Sequence, residues 1–197
     1  RPGLAAAGSW QPQDVCGEWP VMRFTYRAAT LNTVVAAAGS AMFFVITGSA
    51  SRTRWVRNIT VSGDTLTTLA VGSIVAEKWS TTAPDGGTAT TLTRVPLDSA
   101  FSAAATDGLV QVYTAAPTEG TLVGTLACRR HVWKSSTVVD GASFAAEEFK
   151  FDNVLPDGNI GIPLHGLAQA VSLAFGANPA SAVTLAVEVE WDEETGP

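Results

Sequence analysis

The residues best suited to metal or thiol chemistry are few in this chain. Its histidines are His131 and His165, and its cysteines are Cys16 and Cys128. The cysteines lie 112 positions apart without a C-x-x-C pair, so a zinc site is not predicted. We expect structural or surface roles for both histidines, because two imidazoles make a metal centre only if they converge. The cysteines either form a disulfide that ties the N-terminal segment to the middle of the fold or both stay reduced.

Acid–base and nucleophilic catalysis are not indicated by the remaining polar residues. A glycosidase needs two carboxylates at a set separation, and no pattern brings two of the candidates together. These candidates are Asp98, Glu147, Glu148 and Asp152. Ser62 lacks the glycine two positions earlier that a nucleophile elbow requires, and Gly86-Gly87 lacks the following lysine of a phosphate loop. The sequence therefore predicts no catalytic residue, no cofactor and no metal.

Charge is segregated along the chain. Basic residues cluster at Arg52, Arg54 and Arg57 and again at Arg129 and Arg130, whereas acidic residues cluster at Glu188, Glu190, Asp192, Glu193 and Glu194. Such clusters either make arginine–carboxylate contacts between subunits or form cross-strand pairs within one subunit. The net charge of −6 and the pI of about 4.8 have the wrong sign for a protein whose main partner is nucleic acid.

The N-terminal segment predicts an extended arm. Residues 1–27 are rich in proline and glycine and show no sustained alternation, and they precede a domain over residues 28–197. The arm carries Trp10, Trp19 and Phe24. These rings either fold back on their own domain or clasp a neighbouring subunit, because a solvated tail rarely carries so much aromatic surface.

The solvent exposure of three further tryptophans would distinguish a binding function from a structural one. They are Trp55, Trp79 and Trp133. Solvent-facing indoles would supply stacking platforms for a carbohydrate- or receptor-binding lectin-type module, whereas buried indoles would favour a structural protein.

Strand-like segments bounded by turn residues recur through the chain. The predicted strands are residues 41–47, 54–61, 66–80, 109–114, 121–133, 167–175 and 183–192, with a short helix as the alternative for 167–175. We expect the first two to be antiparallel strands, the third to bend at Gly72, and the middle of the chain to form a meander. Residues 99–105 are a candidate for a short helical turn.

The C-terminal strand shows the clearest alternation. Val183, Leu185, Val187, Val189 and Trp191 share one parity, and Thr184, Ala186, Glu188, Glu190 and Asp192 share the other. One face is therefore expected in the core and the other in water. With 46% hydrophobic and 15% charged residues, the chain suits one globular domain. The fold class predicted is all-β, a sandwich or a barrel of antiparallel strands with an extended N-terminal arm.

No membrane partner is expected. The apolar stretch at residues 41–46 is about a third of the roughly 20 residues that a membrane-spanning helix needs. It is better explained as a buried strand.

Several segments together resemble structural proteins of tailed-bacteriophage virions. They are residues 52–63 (RTRWVRNITVSG), 74–81 (IVAEKWST), 86–88 (GGT), 96–99 (PLDS), 104–106 (AAT), 112–126 (VYTAAPTEGTLVGTL) and 187–194 (VEVEWDEE). The similarity runs over residues 40–194 and consists of composition and order rather than catalytic signatures. The arm of residues 1–27 lies outside it.

The resemblance implies an antiparallel β-sandwich of jelly-roll type, and a non-enzymatic virion protein that decorates the capsid or fits the neck or tail. Its expected partners are other virion proteins and further copies of itself, in a trimer, within a particle assembled in the host cytoplasm. Secretion through a signal peptide is the less favoured interpretation. The residues expected at subunit contacts are Trp10, Trp19, Phe24, Arg52, Arg54, Arg57, Arg129 and Arg130.

Overall fold

A computed structural model describes residues 23–35, 42–65, 70–101, 103–135, 146–151, 160–176 and 182–195. Over these residues the chain forms twelve β-strands and no helix. Consequently no described segment is a helix long and apolar enough to cross a membrane.

The strands alternate with short turns along the chain. Their bounds are β1 Arg23–Val35, β2 Met42–Thr47, β3 Arg52–Thr65, β4 Ala70–Trp79, β5 Thr88–Thr91, β6 Val95–Pro96, β7 Val110–Ala115, β8 Leu122–Ser135, β9 Glu147–Lys150, β10 Ile162–Leu164, β11 Ala170–Phe175 and β12 Val183–Thr195. The candidate helical turn at residues 99–105 begins with one hydrogen-bonded turn, in which the N–H of Phe101 donates to the carbonyl of Asp98 at 3.0 Å, and its described residues contain no helix.

The strands form two sheets. Sheet I has the order β6-β1-β12-β3, with β9 and β10 both on the far side of β3. Sheet II has the order β5-β7-β2-β11-β4-β8. The sheets join at one corner, where the end of β3 pairs in parallel with the end of β8.

The strand order is that of a jelly roll. Without β5, β6, β7 and β10, eight strands remain, in the orders β1-β12-β3-β9 and β2-β11-β4-β8. If these eight are lettered B to I along the chain, the two sheets are BIDG and CHEF, which is the jelly-roll arrangement of two packed antiparallel sheets. The predicted all-β sandwich is therefore confirmed.

The predicted meander is wrong. β2 and β3, expected to be neighbouring strands, lie in different sheets, and β8 pairs with β4 rather than with the preceding β7. The bulge predicted at Gly72 is also absent, because Gly72 pairs with His131 in an unbroken register and the irregularities lie between Ala76 and Glu77 and between Lys78 and Trp79. Alternation shows that a segment is a strand but carries no information about its neighbour in the sheet.

The core lies between the two sheets. The predicted inward residues of β12, from Val183 to Trp191, are all buried, with exposed fractions of 0–1%. They pack against residues of the other strands such as Phe44, Ile74 and Trp133. A second apolar cluster, which includes Val45, covers part of the opposite face of sheet II, because neighbours in β2 point to opposite faces.

Residues 23–27, which the sequence analysis assigned to the arm, belong to β1. They pair with the end of β12, from Arg23 opposite Glu194 to Arg27 opposite Glu190. The rest of the predicted arm, including Trp10 and Trp19, lies outside the described residues. Phe24 is half-buried and packs on Phe101, with ring centroids 4.7 Å apart, so this ring folds back on its own domain.

Candidate functional site

A buried ion pair joins the two most charged strands. Arg54 is fully buried and donates from Nε to Glu193 Oε1 at 3.0 Å. Its Nη1 donates to the carbonyl of Thr47, and its Nη2 donates to the carbonyls of Ala105 and Asp107, each at 2.9 Å. The guanidinium thus links β2, β3 and β12 with the segment before β7. Burial lowers the pKa of Arg54, and the charge of Glu193 opposes that shift.

Glu193 is saturated with hydrogen bonds. Its Oε1 also accepts from Trp191 Nε1 at 3.0 Å, and its Oε2 accepts from Arg52 Nη1 at 3.1 Å and from the backbone N–H of Ala105 at 2.8 Å. With no exposed surface and four donors, the carboxylate is positioned for structural support rather than for proton transfer.

An irregularity in β3 turns Arg54 towards Glu193. Glu190 pairs with Asn58 and the next residue, Trp191, pairs with Val56, so Arg57 has no opposite residue in β12. This bulge changes the parity of β3. Inward positions on one side of the bulge are Ile59 and Val61, and on the other side they are Val56 and Arg54.

The segment around Asp107 extends the cluster. Its carboxylate accepts a hydrogen bond from Ser49 Oγ at 2.9 Å and another from the N–H of Ala50. Partial burial acts to raise the pKa of Asp107, but these bonds outweigh it and the pKa lies below its usual value. Arg94 donates to the carbonyl of Gly108 at 2.6 Å. We did not predict Asp107 or Arg94 from the sequence.

The arginines predicted at subunit contacts divide into two groups. Arg54 is buried within its own chain, and for this residue the subunit-contact prediction is wrong. Arg52 pairs with Glu193, and Arg57 lies 3.7 Å from Asp192, so the alternative of cross-strand pairs within one subunit holds for the first cluster.

The second group lies on β8. Arg129 and Arg130 are exposed, and no ion pair between described residues includes them. They remain candidates for contacts with another molecule.

The tryptophans expected to serve as stacking platforms are buried. Trp55 and Trp79 are 3% exposed, and Trp133 is 1% exposed. Trp55 is covered by Arg23, whose guanidinium carbon lies 4.9 Å from the ring centroid, and Trp79 donates to Ser172 Oγ at 2.8 Å. These rings therefore offer no surface on which a sugar could stack.

Two of the titratable residues weighed in the sequence analysis lie together, since His131 Nδ1 is 3.3 Å from Glu147 Oε1. His165 is exposed and lies 3.3 Å from Thr53 Oγ1, and Asp152 lies outside the described residues. Within the described part of the chain, no group of three His, Cys, Asp or Glu residues could hold a metal ion. Cys128 is an exposed free thiol, and Cys16 lies outside the described residues.

An open groove of about 420 Å³ lies at one end of the sandwich. It is lined by Thr47, Thr81, Thr82, Ala83, Pro84, Asp85, Gly108, Leu109, Leu167 and Ala168. One wall is a tight three-residue turn, in which the N–H of Thr82 donates to the carbonyl of Ser80 at 2.7 Å and Thr81 has a φ of 67°. Asp85 is the one charged residue of this lining, so the groove brings no charged residues together.

Comparisons with known proteins give only weak likeness. No family model and no curated protein matches the chain. Two solved structures of infectious bursal disease virus, of the Gx and Gt strains, are similar to 97% and 96% of this chain, at 14% and 13% identity and TM-scores of 0.21 and 0.18. The chain spans 45% and 46% of the length of those two chains.

Proposed function

We propose that this protein is a non-enzymatic structural component of a virus particle. The observation that carries the proposal is the BIDG and CHEF strand order, since jelly rolls of this kind build viral capsid domains as well as lectins and cupins. Fold alone does not assign function, so the choice among these classes depends on the side chains.

The side chains favour the structural class. A lectin would present aromatic platforms, yet Trp55, Trp79 and Trp133 are buried. A cupin-type enzyme would present a metal site, and the described residues hold no suitable group of ligands. The strongest polar cluster, around Arg54 and Glu193, is closed to solvent and supports the fold.

The narrower proposal is a tailed-bacteriophage virion, with the protein decorating the capsid or fitted to the neck or tail. It rests on the sequence resemblance over residues 40–194. In the same proposal the protein acts as a homo-oligomer, a trimer, bound to other virion proteins, and its net charge of −6 keeps it away from packaged nucleic acid.

Mass spectrometry of density-banded, high-salt-washed particles from the host that carries the gene tests the proposal. We expect the chain at a constant ratio to the major capsid protein, and cryo-electron microscopy then locates it. Particles made without the gene should lose stability or the attachment of a partner while every enzymatic step continues. Absence of the chain from washed particles, or binding of the purified chain to glycans at micromolar concentration, would contradict the proposal.

A further inference from the structure

The chain contains four aspartate–glycine pairs, at residues 85–86, 107–108, 140–141 and 157–158. The last two pairs lie outside the described residues. An aspartate followed by glycine is prone to cyclise, because its carboxyl group can reach the next backbone nitrogen and glycine has no Cβ atom to obstruct the approach. The surroundings of the two described pairs decide which of them can react in the folded chain.

The carboxyl group of Asp85 lies against the backbone nitrogen that follows it. Its Oδ1 accepts a hydrogen bond from the N–H of Gly86, with the two atoms 2.7 Å apart. The side chain is exposed, and among the described residues it takes part in no other hydrogen bond and in no ion pair. It is therefore free to turn its carboxyl carbon towards the nitrogen. Holding two reacting groups together in this way raises the rate of an intramolecular step by orders of magnitude.

The turn that follows Asp85 is open. Gly86 and Gly87 have φ angles of 82° and 72°, a region that glycine adopts without strain. A Cβ atom placed at Gly86 would meet no described atom within 4 Å. A ring that closes on this nitrogen therefore has room to form, and water can reach it.

The second described pair, Asp107 and Gly108, is held differently. The carboxylate of Asp107 accepts hydrogen bonds from Ser49 Oγ and from the N–H of Ala50, and within the described residues none joins it to the N–H of Gly108. A Cβ atom placed at Gly108 would lie 2.9 Å from Nη1 of Arg54, so this peptide is enclosed. The fold thus restrains the carboxyl group of Asp107 and leaves that of Asp85 free.

We propose that Asp85 is a site of spontaneous conversion to isoaspartate through a succinimide. The nitrogen of Gly86 loses its proton to water and bonds to the carboxyl carbon of protonated Asp85, and the carboxyl hydroxyl leaves as water. Water then adds to one of the two carbonyl carbons of the ring. Cleavage at the side-chain carbon restores aspartate, whereas cleavage at the main-chain carbon gives isoaspartate. One water molecule leaves and one enters, so the reaction needs no oxidant, reductant or enzyme.

Isomerisation changes the wall of the groove that Asp85 lines. The main chain then runs through the side-chain carboxyl carbon and is longer by a methylene group, and the former backbone carbonyl becomes a free carboxylate. In the unmodified chain that carbonyl accepts the N–H of Thr118 at 2.9 Å, and the N–H of Asp85 donates to the carbonyl of Thr118 at 3.2 Å. Isoaspartate should loosen this pairing. The reaction needs only the chain and water, so it is independent of the proposed virion role.

Peptide mapping of the full chain, aged at neutral pH and physiological temperature in water enriched in oxygen-18, tests the assignment. Chromatography separates peptides that contain aspartate from those that contain isoaspartate, and electron-transfer fragmentation identifies the modified position. We expect isoaspartate that carries oxygen-18 at residue 85, in a yield at least about tenfold higher than at residue 107. In denaturant, where the fold restrains neither carboxyl group, the two yields should become similar.

The variant Asp85→Glu is the matched control. It keeps the charge, but its side chain would have to close a six-membered ring, which forms more slowly, so residue 85 should stay unmodified over the same period. Hydrogen exchange at the N–H of Thr118 should become faster on ageing in the wild type and stay unchanged in Asp85→Glu. Similar yields at residues 85 and 107 in the folded chain, or reaction at residue 85 only in denaturant, would overturn the proposal.

Discussion

Replacing Glu193 with glutamine removes a buried charge while it preserves the shape of the side chain. The carboxylate accepts four hydrogen bonds, two at each oxygen, and an amide nitrogen can accept neither of the two that fall on it. The change also leaves Arg54 buried without its counter-charge. Breaking a buried pair in this way costs about 3–5 kcal/mol.

Thermal unfolding measures this loss. At about 2–4 °C per kcal/mol for a chain of this size, Glu193→Gln should lower Tm by about 6–20 °C. The neighbouring Glu194→Gln is the matched control, because Glu194 pairs with Arg23 near the surface, where an ion pair contributes about 0–1 kcal/mol. Equal melting temperatures for the two variants would refute the structural role of the Arg54–Glu193 pair.

Three further outcomes are expected. Val187→Asp should lower the free energy of unfolding by several kcal/mol in chemical denaturation, because it buries an unpaired charge. Ala186→Asp, on the outward face of β12, is the control and should not. A Val187→Asp variant as stable as the wild type would contradict the burial of this face. Because folding lowers the pKa of Asp107, its ionised carboxylate stabilises the fold at pH values above its usual pKa of 3.8, and this stabilisation is lost as the pH falls through the folded pKa. Asp107→Asn should therefore make the free energy of unfolding less dependent on pH in acid unfolding. Burial, with the charge of Asp85, raises the pKa of Tyr113 to about 12. In an alkaline titration followed by absorbance at about 295 nm, Tyr113→Phe should therefore remove the rise seen at the highest pH. Ionisation of this residue near pH 10 would contradict its burial.

Much of the local structure could be predicted from the sequence. Alternation in β12 identified its inward residues, and all five of them are buried. The same alternation extends to Glu193, which shares the parity of Trp191, so its burial could have been predicted from the sequence. The sequence analysis instead assigned it only to an acidic cluster. Side-chain period is a local property of a strand, and it is readable without knowledge of the partner strand.

Strand partners and the polar cluster were decided by the tertiary structure. β2 and β3 are consecutive in the chain and were expected to be neighbours, yet they lie in opposite sheets, because pairing follows from how two sheets cover one core. The bulge at Arg57 depends on the register with β12 and turns Arg54 inward to meet Glu193. No local pattern distinguishes a buried arginine from an exposed one when a single unpaired residue reverses the face of the strand.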